Sequence, residues 1–102
     1  MEEKKIINEE NMEEAAGGEW RPDSKMAKVY ALYGGPVKMY NTSISGNDPF
    51  WQVPSGSEMK VDPNLEPETP CFFDRVYEAG YWACYNYRWL FIKEKEVNIE
   101  WL

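Results

Sequence analysis

The stretch "YWACYNYRWLFI", residues 81–92, decides the fold. It contains no proline or glycine, and it is dense in the aromatic and branched residues that favour extended backbone. With side chains alternating along a strand, Trp82 and Cys84 share one face while Ala83 and Tyr85 take the other. Trp89 and Phe91 then alternate with Leu90 and Ile92. Asn86-Tyr87 lies between the halves and predicts the fold-back, since asparagine tolerates turn backbone.

The same grammar extends upstream. "CFFDRVYEA" (71–79) reads as another strand, meeting a turn at Gly80. Before it, "PNLEPETP" (63–70) carries three prolines and predicts an exposed loop. "FWQVP" (50–54) and "EMKVD" (58–62) flank Ser55-Gly56-Ser57, which predicts a hairpin or tight turn. "TSISGNDP" (42–49) is too polar for a core strand, whereas "VKMYN" (37–41) and "AKVYALY" (27–33) are rich in β-formers and separated by "GGP" (34–36). Helix in this body is expected to be no more than a turn, near Lys93–Val97. Five to six short strands separated by frequent turns predict an all-β fold, a small β-barrel.

Composition bounds what such a body can do. At 102 residues the chain has room for one small core, and 16% aromatic residues suit a core built from large rings. A net charge of −7 opposes binding to nucleic-acid backbones and to anionic membrane surfaces. No apolar run approaches the roughly 18 residues of a membrane-spanning helix, so membrane insertion is not expected. With no histidine and two cysteines, Ser-His-Asp and Cys-His catalysis and every His-bearing zinc site are excluded. No cofactor or metal is predicted. Among eighteen acidic residues no spacing singles out a hydrolytic pair, and the expectation is a protein that binds rather than catalyses. Asp62, Asn64 and Glu66 alternate like the start of a calcium loop but lack its glycine and terminal acid, so they read as a solvated acidic loop.

Charge and rings are unevenly distributed. Residues 1–18 hold six acids and two bases, and all sixteen aromatics follow Gly18. The first eighteen residues therefore cannot build a core, and the remainder can. "KKIINEENMEEAA" (4–16) is composed mostly of good helix formers, and on a helix Ile7, Met12 and Ala15 fall within an arc of about 140°. The segment resembles the double-glycine leader peptides of bacteriocins and related exported peptides. Such leaders end in Gly-Gly and place apolar residues four, seven and twelve positions before the cut, here Ala15, Met12 and Ile7; the position eight back, often acidic, is Asn11. The resemblance implies recognition by a peptidase-containing ABC exporter, cleavage after Gly18 in the pair Gly17-Gly18, and secretion of the rest. Without it, residues 1–18 are a flexible, solvated acidic tail on a cytoplasmic protein.

The body, over residues 27–97, resembles the bacterial SH3-like domains. "VPSGSEMKVD" matches their middle phrase and "YWACYNYRWLFIKEKEV" their closing hairpin, with Trp82 at the place of the hairpin tryptophan and Trp89 to Ile92 as the final strand. It departs in the longer middle segment 63–80 and in lacking the family's "NVR" phrase. The resemblance implies a binding module, residues 19–102, whose ligand is a peptide or a cell-wall component. A bacteriocin-like secreted effector is the other exported alternative.

Ring stacking on peptide or glycan makes the loop-proximal aromatics Tyr33, Tyr40, Trp51, Tyr81 and Tyr87 the candidate ligand contacts. The competing use for each is the core. Cys71 and Cys84 fall on strands predicted to be neighbours, so an oxidising compartment would allow a cross-strand disulfide, and a reducing one would leave two buried thiols.

Overall fold

The computed structural model describes residues 21–102. Five strands form the main sheet: β1 (Lys25–Ala31), β4 (Ser57–Val61), β7 (Gly80–Tyr85), β8 (Arg88–Lys93) and β9 (Val97–Trp101), in the order β8-β7-β4-β1-β9. Every pairing within it is antiparallel. Two ribbons complete the fold, β2 (Val37–Met39) with β3 (Trp51–Val53) and β5 (Thr69–Pro70) with β6 (Val76–Tyr77). Among the described residues there is no α-helix; a single 3-10 turn, Glu94–Glu96, links β8 to β9. The all-β expectation is met, and the turn falls within Lys93–Val97; among the described residues the strands number nine rather than the expected five to six, because the segments between the main strands form two short ribbons of their own.

The 81–92 stretch folds as its alternation requires. Tyr81 to Tyr85 pair in register with Ile92 to Arg88, and Asn86 and Tyr87 both have positive φ (55° and 63°). Two consecutive left-handed residues make the type I′ turn, whose twist matches that of antiparallel strands. Ala83, Leu90 and Ile92 face inward, joining Ala27, Val29, Met59, Val61 and Val97 of the other main strands. Val37, Met39 and Val53 of the β2-β3 ribbon close over them to complete one core.

The opposite face of β7-β8 is also covered. Phe91 is fully buried and Trp89 nearly so, with Trp82 edge-on to Phe91 at 5.3 Å. Arg21 lies over the rings of Trp82 (5.1 Å) and Trp89 (5.8 Å), and its guanidinium meets Asp62 at 3.0 Å. The ribbon is tied to β8 by a reciprocal backbone pair, Tyr40 N–H to Phe91 O at 2.8 Å and Phe91 N–H to Tyr40 O at 2.7 Å. Gly80 is required here, because a Cβ at that position would run into the backbone carbonyl of Ile92 and the ring of Phe91.

Several expectations are corrected. Residues 71–79 are not one strand: the chain turns at Cys71–Arg75, and only Val76 and Tyr77 are extended. Of the two readings of Ser55-Gly56-Ser57 the tight turn is the one that holds, since β3 pairs with β2 while β4 pairs with β1. Gly56, at φ 90°, donates its N–H to Val29 O at 2.7 Å, so this turn seals the base of the 32–56 excursion against β1. Val97–Trp101 form a full strand on the outer side of β1, and all of it but Val97 lies beyond the segment that the family resemblance covers.

Candidate binding cleft

Where the β2-β3 ribbon meets the β7-β8 turn, the surface opens into a cleft of about 220 Å³ lined by Phe50, Trp51, Tyr85, Asn86, Arg88 and Leu90. Its position follows from two pieces of local structure. The backbone N–H of Phe50 bonds to Met39 O at 2.8 Å, setting Phe50 and Trp51 at the start of β3. The Tyr85–Arg88 pairing flanks the type I′ turn and holds the facing wall. Arg88 stacks over the Phe50 ring at 4.9 Å, bridging the two walls. Phe50 and Trp51 remain about half exposed, at 44% and 51%. Flat rings, one guanidinium and one amide suit recognition: rings stack on planar or sugar groups, and the guanidinium takes a carboxylate or a carbonyl.

The structure sorts the five candidate aromatics. Trp51 lines this cleft, and Tyr87 stands in the turn between two lining residues, Asn86 and Arg88. Tyr33 is elsewhere, 84% exposed beside a smaller depression formed with Gly34, Pro36, Lys38 and Glu96. Tyr81 packs against the core and edge-on to Trp101 at 6.5 Å. Tyr40 is buried and structural. Its hydroxyl donates to the Glu96 carboxylate at 2.9 Å and its ring carries the Lys93 ammonium at 4.2 Å. Burial first, and then the Glu96 carboxylate, push the Tyr40 phenol well above its ordinary range. Phe50, Tyr85 and Arg88 were not among the candidates. Their only sequence signal is position, flanking the fold-back and opening the "FWQVP" segment.

A second recess, about 290 Å³, lies between the loop at Ser43 and the β5-β6 ribbon, lined by Glu66, Pro67, Thr69, Tyr77, Glu78 and Trp82. The carboxylate of Glu78 is already engaged there. It bridges buried Lys93 at 2.9 Å and exposed Lys95 at 2.8 Å. Burial alone would raise its pKa, but the two ammonium groups outweigh that and hold it below the usual carboxylate value. Its bond to Glu78 in turn raises Lys95.

Asp62 is not part of a solvated loop. It is buried, paired with Arg21, and accepts from the backbone N–H (3.0 Å) and the side-chain amide (2.9 Å) of Asn64. Its carboxylate thus anchors the segment preceding β1 to the loop after β4. Among the described residues no group of three or more acidic or sulfur ligands is gathered for a metal.

Cys71 and Cys84 are thiols rather than a disulfide. The predicted neighbouring strands are absent: Cys71 sits at the tip of the β5-β6 ribbon, while Cys84 lies on β7 opposite Trp89. The Tyr77 hydroxyl rests against the Cys71 thiol, which raises the phenol above its ordinary value. The leader residues Ile7, Met12, Ala15, Gly17 and Gly18 lie outside the described residues.

Scans against known protein families, curated proteins and solved structures find no match to this chain.

Proposed function

We propose that residues 19–102 are an SH3-like binding domain that takes a peptide or cell-wall component, and that residues 1–18 are a double-glycine leader cut by a peptidase-bearing ABC exporter during secretion. The observation that carries the binding half is the cleft, where Phe50, Trp51 and Tyr85 offer ring faces beside the Arg88 guanidinium. Wall peptides and glycans present the matching groups, carboxylates and sugar faces.

The SH3-like half draws support from topology. Long excursions at 32–56 and 62–79 interrupt a five-strand antiparallel sheet, a tight hairpin follows at Asn86-Tyr87, and a 3-10 turn precedes the last strand. The leader half draws support from the domain boundary. Arg21 is built into the fold through Asp62, Trp82 and Trp89, and the described core begins at Ala27. A cut after Gly18 leaves that anchor in the mature domain.

Co-sedimentation with purified cell-wall sacculi, alongside titration with soluble wall peptides, tests the binding half. Wild type is expected in the pellet and the Trp51→Ala/Arg88→Ala variant in the supernatant; equal partitioning of the two refutes the assignment of the cleft. Intact mass of material secreted alongside a peptidase-bearing exporter tests the other half. The expected species begins at Glu19, and an uncut protein confined to cells defeats it.

A further inference from the structure

The tip of the β5-β6 ribbon is an apolar projection with no role in the core. Its turn is closed by Cys71 N–H to Arg75 O at 3.0 Å and Arg75 N–H to Phe72 O at 3.1 Å. At its apex Phe73 is 95% exposed, and Phe72 is half exposed with its ring edge-on to Phe73 at 5.6 Å. Phe73 also adopts φ 55°, a left-handed conformation that bulky residues rarely take. Asp74, exposed, follows it directly. A strained backbone that holds a large ring in water is a feature found where a protein clamps a ligand or partner.

The same molecule carries a matching recess. The Phe50–Trp51–Tyr85–Leu90 cleft, at about 220 Å³, is aromatic and bordered by Arg88. An apolar cavity of about 150 Å³ is enough for benzene, so one phenyl ring fits. The charges are compatible with this fit: Asp74 follows the ring of the tip and Arg88 borders the cleft, while the other charge of the tip, Arg75, reaches back to the loop at Gly46. Because Phe73 is almost wholly exposed, it does not fill its own cleft.

The geometry points to self-association, in which the Phe73 tip of one copy inserts into the Phe50–Trp51–Arg88 cleft of a second. This inference rests on the cleft being a binding site, as proposed above, and assigns it a second occupant. A knob and a hole at different places on one surface give a head-to-tail contact rather than a two-fold one. The contact is small, so association is weak and concentration-dependent. A membrane is the poorer occupant for the tip, since the chain carries −7 overall.

Sedimentation equilibrium of the full chain over a wide concentration range tests this. Wild type is expected to rise in average mass with concentration. Phe73→Asn, which keeps a residue tolerant of left-handed backbone, and Trp51→Ala each remain monomeric with unchanged circular dichroism. Mixed together they pair again, because one retains the cleft and the other the tip, and the mixture stops at dimers. Asp74→Lys and Arg88→Glu each weaken association, and the double variant recovers it. Monomeric wild type at every concentration overturns the inference, as does association that Phe73→Asn leaves intact or a mixture that fails to pair. Monomeric wild type whose wall binding still depends on Trp51 sinks only the self-association; complementation without capture of any wall fragment or peptide sinks only the external ligand.

Discussion

Replacing Gly80 by alanine is expected to be the most damaging single-methyl change in this domain. Gly80 is the first residue of β7, paired with Lys93, and its backbone also exchanges hydrogen bonds with Glu66 (2.8 and 3.0 Å). A Cβ there would sit 2.5 Å from Phe91 Cζ and 2.7 Å from Cε2, besides striking the Ile92 carbonyl. Ordinary contact is about 3.5–4.0 Å, so ring and strand must both move by roughly 1 Å or more. Neither has slack: Phe91 is fully buried, packed edge-on against Trp82, and hydrogen-bonded through its backbone to Tyr40. Overpacking a full core costs about 1–3 kcal/mol, and involvement of backbone places this site at the top of that range. At about 4–8 °C per kcal/mol for a domain of this size, a 3 kcal/mol loss lowers Tm by roughly 12–24 °C. Thermal unfolding followed by circular dichroism measures it. Adding Phe91→Leu removes the ring clash but not the carbonyl clash, so the double variant recovers only part of the coupling. A Gly80→Ala protein melting within about 4 °C of wild type, or full recovery in the double variant, would refute the close approach described here.

Glu78→Gln leaves the buried Lys93 ammonium without its carboxylate partner and is expected to cost about 3 kcal/mol in chemical denaturation. Because the folded pKa of Glu78 lies below its ordinary value of 4.5, its contribution is present above that value and fades as pH falls beneath it, so Glu78→Gln should flatten the acid limb of a stability–pH curve. Tyr40 behaves oppositely: its folded pKa lies above the ordinary 10.0, so its contribution is complete below pH 10.0 and is lost as pH rises beyond it. Tyr40→Phe should remove that alkaline loss at a cost of about 1.5 kcal/mol near neutrality, from the hydrogen bond to Glu96. Tyr87→Gly relieves a left-handed tyrosine in the type I′ turn and is expected to raise stability by about 0.5–1 kcal/mol, the strain relieved less the added chain entropy; a lower Tm would show that the ring contributes packing.

The parts of this protein that local chemistry governs were legible in its sequence. Period-two alternation across 81–92 with Asn86-Tyr87 between predicts the β7-β8 hairpin, because side-chain direction and turn conformation are properties of neighbouring residues. The β-formers of 27–33, 37–41, 50–54 and 58–62 likewise mark strands that form. Tyr40 and Trp51 lie on similar short apolar segments, yet one is core and the other lines the cleft, because burial depends on what the fold brings alongside.

Pairing was decided by tertiary structure. No local signal tells β3 to turn back to β2 rather than on to β4, or β9 to bind β1, the strand farthest from it in the sequence. The cleft joins Phe50 and Trp51 to Arg88, and the charge network joins Tyr40, Glu78 and Lys93, through contacts between residues far apart in sequence. The segment 71–79 has the composition of a strand, but Phe72 and Phe73 find no sheet to complete and stand in solvent instead. Sequence determined which residues prefer extended backbone and, at 55–57 and 86–87, where the chain turns, and the closure of distant segments around one core determined which rings were left exposed.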